Sequence, residues 1–88
     1  MTLKAYDAYF MIKESYKNDG CDWEEFDKVC YTCIIVAENL EEAVNKIKKT
    51  YEYEEVYRKS EIVDWKFYLI KKPGIYALEK EEVSHWNA

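Results

Sequence analysis

The stretch Val29–Tyr51, VCYTCIIVAENLEEAVNKIKKTY, decides the fold. Its first part, Val29 to Ala37, is β-branched and aromatic, with no glycine or proline. A run that short and that apolar predicts a strand buried largely on both faces. Asn39 then offers a helix N-cap. Glu42, three residues on, completes a capping box in which its carboxylate is expected to reach back to the Asn39 N–H. Leu40, Ala43, Val44, Ile47 and Tyr51 recur at three- and four-residue steps, so they form one apolar stripe. Glu41 and Glu42 stand in the first turn, and Lys46, Lys48 and Lys49 towards the last, where each sign complements the helix dipole. A buried strand feeding an amphipathic helix asks for a sheet beneath that helix.

The flanking sequence supplies strands for it. Leu3 to Tyr16 reads as a long first strand, with Tyr6, Ala8, Phe10 and Ile12 on one parity and Tyr9 and Met11 on the other, between Asp7 and Lys13. Lys17 to Asp27 reads as a loop opened by an Asn-Asp-Gly turn signal and held to the body by Trp23 and Phe26. Glu52 to Lys59 is a polar connection. In the third strand, Glu61 to Lys71, Val63, Trp65, Phe67 and Leu69 make an apolar parity; Ile62, Asp64, Lys66, Tyr68 and Ile70 make a mixed one. Pro73-Gly74 suits a type II turn into a short fourth strand, Ile75 to Leu78. Glu79 to Ala88 then reads as a tail anchored by Val83 and Trp86. The expectation is one α+β domain over residues 1–88. Its mostly antiparallel four-stranded sheet runs ββαββ, with strand order 2-1-3-4 and a meander as the alternative, and one helix packs on one face.

Composition narrows the classes of function. A chain of 88 residues hides roughly 60–65% of its unfolded surface and gains from association. Nine Tyr, three Trp and three Phe argue against disorder. There is no apolar run of membrane-spanning length and no signal-peptide pattern, so a cytoplasmic protein is expected. The net charge of −5 and a single arginine, Arg58, speak against direct nucleic-acid binding.

Few constellations offer chemistry. Cys30 and Cys33, with Cys21 and His85, could make a Cys₃His zinc site, but a strand turns Cys30 and Cys33 to opposite faces. A redox C-x-x-C sits at a helix N-terminus, not mid-strand. A Cys–His nucleophile pair needs His85, which stands in the polar tail. The acid pairs Glu24/Glu25, Glu54/Glu55 and Glu81/Glu82 read as solvated charge. Only Gly20 and Gly74 are available for a phosphate loop, and the acidic loop lacks EF-hand spacing. No catalytic residue, metal or cofactor is assigned.

A single helix leaves the other sheet face uncovered. That face is expected to carry Tyr9, Met11, Tyr68 and Ile70 among charges, with some of Tyr31, Cys33 and Ile35 from strand two. This resembles the make-up of an interface. The bland alternative is that the acidic loop and the tail fold over it. Asp19, Asp22, Glu24 and Glu25 in the loop would steer a partner. Carboxylates interleaved with aromatics can imitate a nucleic-acid backbone, and small acidic inhibitors, phage-encoded ones among them, share this composition.

The order of parts also resembles an uncharacterised family of small bacterial α+β domains. The matching stretches are Ile34 to Ala43 (IIVAENLEEA), Val63 to Phe67 (VDWKF), Ile75 to Leu78 (IYAL) and Glu82 to Trp86 (EVSHW). The similarity spans most of the chain but rests on core patterning, and the Lys71-Lys72-Pro73-Gly74 turn departs from it. The family has no established activity, so the resemblance implies a fold and no site residue. The sequence reading is a non-enzymatic module that binds a protein, with a nucleic-acid-binding protein or a second copy as partner. The alternatives are a zinc or small-ligand domain and a self-assembling subunit.

Overall fold

The computed structural model describes residues 2–19, 22–73 and 78–87. Strand β1 (Lys4–Tyr16) is followed by β2 (Glu24–Ala37), helix α1 (Leu40–Tyr51), β3 (Tyr53–Glu54), β4 (Arg58–Pro73) and β5 (Leu78–Asn87). All the pairings are antiparallel; the sheet runs β2-β1-β4-β3, and β5 also pairs with β4. β3 meets Lys59 and Ser60 at one end of β4, while β5 meets Asp64 to Pro73 further along.

The α+β expectation is overturned. The described residues are mostly β: five antiparallel strands form a curled half-barrel sheet, and one short helix accompanies it. Three elements differ in extent from the expectation. The presumed tail, Glu79 onward, is a ten-residue strand zipped to β4. The acidic loop is shorter than expected, because Glu24 to Lys28 already belong to β2. The polar connection contains β3. Meanwhile α1 has only 12 residues, so it spans about 18 Å. β4 has 16 residues and spans about 53 Å, so the helix roofs a fraction of the sheet rather than a face. Of the expected Pro73-Gly74 turn and the expected fourth strand, Ile75 to Leu78, residues 74–77 lie outside the described residues, while Pro73 ends β4 and Leu78 opens β5.

The core lies between α1 and the even positions of β1. Tyr6, Ala8, Phe10 and Ile12 are buried there with Phe67 from β4 and Ala43 and Ile47 from the helix. Trp65 and Leu69 pack against this cluster, and the Trp65 ring lies 4.7 Å from that of Trp86 on β5. Val63 does not take the place expected for it. The register slips between Met11 and Ile12, so that Ile12 faces Ile62, and Ile62 is the buried residue. A bulge reverses parity, and alternation counted straight through it assigns the wrong side chain.

The helix begins as its sequence indicates, with one change of partner. Asn39 Oδ1 accepts from the Glu42 N–H at 2.8 Å. The Glu42 carboxylate reaches the N–H of Glu38 at 3.0 Å instead of that of Asn39. One orphan donor of the first turn, the Glu42 N–H, is thereby satisfied, and the chain leading into the helix is tied to it.

Candidate functional site

The sheet face turned away from α1 is the candidate site. Opposed residues in an antiparallel pair share a face. The open face therefore reads across β2, β1, β4 and β5 in three rows. These are Cys30, Met11, Asp64 and Asn87; Thr32, Tyr9, Lys66 and His85; and Ile34, Asp7, Tyr68 and Glu82. Strand two contributes Cys30, Thr32, Ile34 and Val36 to it. The expected Tyr31, Cys33 and Ile35 point the other way, where Tyr31 stacks on Phe10 with centroids 5.7 Å apart and Cys33 and Ile35 pack on the core. Val29 to Ala37 is uncharged and, Thr32 apart, lacks polar alternation, so the pattern could not say which parity faces which side.

The described part of the expected tail does not fold over this face: β5 extends the sheet sideways. Ile34 remains 61% exposed, Val36 49% and Tyr9 41%. An open groove of about 400 Å³ crosses β2, β1 and β4 and is lined by Tyr9, Met11, Cys30, Thr32, Asp64 and Lys66.

Beside the groove lies a polar cluster that sequence reasoning missed. Lys80 reaches from β5 across β4, and its Nζ donates to Asp7 Oδ2 at 2.8 Å and to the Tyr9 hydroxyl at 3.2 Å. The Tyr9 hydroxyl donates to the same carboxylate oxygen at 3.0 Å. The ammonium also stands 4.7 Å from the Tyr68 ring centroid, and Tyr68 meets Tyr9 edge-on. Hydrogen bonds to Asp7 first, and then to Tyr9, raise the Lys80 pKa above its ordinary value. Asp7 is only 8% exposed, and Lys80 and Tyr9 are the groups that compensate its burial. The only hint in the sequence was an acid set between the apolar Tyr6 and Ala8.

Of the expected contact residues, Tyr9, Met11, Tyr68 and Ile70 share the open face, while the acids do not join them. Glu24 faces Tyr16 at the far end of the β1–β2 hairpin, next to Glu25. Asp19 accepts from the Tyr57 hydroxyl at 2.8 Å. Asp22 precedes β2 at the same end. Cations are interleaved with them: Lys17 and Lys59 each lie 4.7 Å from the Trp23 ring, and Arg58 lies over Phe26. The acids of the expected tail, Glu79, Glu81 and Glu82, lie on β5 towards the opposite end.

The cysteines do not converge. Cys30 is exposed on the open face and Cys33 is half-buried on the helix side, where burial, and then Asp7, raise its thiol pKa. Cys21 lies outside the described residues. Cys30 and His85 stand three strands apart, about 14 Å, beyond reach of proton transfer. Among the described residues, no three of His, Cys, Asp and Glu come together to hold a metal ion. Nor is any described helix long and apolar enough to cross a membrane. No protein-family model, curated protein or solved structure matches the chain.

Proposed function

We propose that the chain is a non-enzymatic interaction module whose open sheet face receives a segment of a partner protein. One observation carries this reading: a groove with an apolar floor, Met11 and Tyr9, rimmed by Asp64 and Lys66, lies on a face that the described chain does not cover. Aromatic and methionine side chains with charges at the margin are the composition of interface cores and rims. The acids support steering at one end of the molecule more than mimicry of a nucleic-acid backbone. They fall at both ends of the sheet, and at the hairpin end Lys17, Arg58 and Lys59 interrupt them.

The test uses the immobilised whole chain and its Met11→Glu variant. A partner captured by the wild type is expected to be lost with Met11→Glu, which buries a carboxylate in the groove floor. Lys49→Glu, on the exposed side of α1, should retain it. Equal capture by the wild type and Met11→Glu would remove the open face from consideration.

A further inference from the structure

The sheet has two long free edges, and they are defended differently. β5 forms one and begins Leu78-Glu-Lys-Glu-Glu, so acids repel a second copy of that edge. β2 forms the other and pairs with β1 alone. From Val29 to Ala37 it carries no charge, no proline and no glycine. Its register with β1 is unbroken there, because the one slip lies near Glu25. Ile34, Val36 and Tyr31 are all exposed along it. Among the described residues, Lys46 guards it, with its Nζ donating to the Val36 carbonyl at 2.7 Å.

We propose that this edge pairs antiparallel with the same edge of a second copy of the chain, about a two-fold axis through Cys33. An axis perpendicular to the sheet keeps each face continuous and must pass through a residue, because a one-residue slip would turn apolar side chains to the wrong face. The charge pattern selects which residue. With the axis at Cys33, Val29 faces Ala37, Tyr31 faces Ile35 and Thr32 faces Ile34, so the uncharged run is matched against itself from end to end. One step further out, Lys28 faces Glu38 at both ends of the seam. An axis at Thr32 would set Asp27 against Ala37 and Lys28 against Val36. An axis at Ile34 would set Lys28 against Leu40. Lys46 gives up the Val36 carbonyl on pairing and keeps Glu42, 3.5 Å away. This seam is an edge and not a face, so it stands apart from the groove reading.

The experiment is light scattering of the reduced whole chain across concentration, with variants at exposed positions. The wild type is expected to dimerise, and Lys28→Glu to weaken the dimer about ten-fold by setting like charges opposite. Lys28→Glu combined with Glu38→Lys should restore it. Met11→Glu should leave dimerisation unchanged, which separates this result from failure of the groove reading. Cross-linking fixes the register. Two Cys33 residues on the axis face each other with Cα atoms about 4.5–5.5 Å apart, within disulfide reach. Two Cys30 residues would stand about 20 Å apart. Copper(II)–phenanthroline with dioxygen, which takes two electrons and two protons from a thiol pair, should link a Cys21→Ser/Cys30→Ser chain. It should spare a Cys21→Ser/Cys33→Ser chain, although Cys30 is the more exposed thiol. A wild type monomeric to about 1 mM, a charge swap that restores nothing, or faster linking through Cys30 would each overturn the proposal.

Discussion

Asp7 and Lys80 make the contact that ties the two ends of the chain together, and its chemistry sets how stability varies with pH. Lys80 is held charged by hydrogen bonds to Asp7 and then Tyr9, which raise its pKa from the ordinary 10.5. A hydrogen bond to Glu24 raises the Tyr16 hydroxyl from 10.0. Burial, with Asp7 second, raises the Cys33 thiol from 9.0. Each of these groups keeps its proton more firmly in the folded chain. Their stabilisation is therefore complete below the unfolded values and is lost as pH climbs through the folded ones. We expect the urea midpoint to hold near neutral pH and to fall progressively from about pH 9 upward. Lys80→Met should flatten the part of that fall above about pH 10.5. A midpoint that stays level to about pH 11 would remove the cluster from any role in stability.

At the scale of elements, what could be read from the sequence was what is local. The helix was legible because Asn39, Glu42 and the Leu40–Tyr51 stripe act within four residues of one another. β1 was legible because its faces differ, and Tyr9 and Met11 were thereby placed on the open side. β5 was not, because Glu79, Glu81 and Glu82 look like solvated charge until β4 supplies the pairing that makes them a strand. The open-face residues of β2 were hidden by a run with no alternation. The bulge opposite Ile12 is likewise a property of two strands together, and it yields a direct comparison. Ile62 is 3% exposed whereas Val63 is half-buried. Ile62→Ala should cost about 2–5 kcal/mol and Val63→Ala clearly less. Thermal unfolding of the two variants decides between the register described and unbroken alternation, which would invert the order.

At the scale of the whole molecule, a long sheet is held together by a thin core. The chain extends 53 × 28 × 19 Å, and Phe67 is the one large side chain wholly removed from solvent among the described residues. Phe67 lies on β4 opposite Ala8 of β1 and Ser84 of β5, so it is flanked by a strand on each side. Stability of such a domain is about 5–15 kcal/mol in total, and Phe67→Ala should remove about 3–5 kcal/mol of it. Amide hydrogen exchange shows how that loss is distributed. β1 is paired on both sides along nearly its whole length, so its amides should open only with the entire fold, as should those of β4 between Asp64 and Leu69. Phe67→Ala should therefore lower protection in β1 and in β4 by the same free energy. The turn carrying Val56 and Tyr57 is exposed and should exchange fast in both proteins. If β4 and β5 lost protection while β1 kept it, the β4–β5 hairpin would be a separate unit.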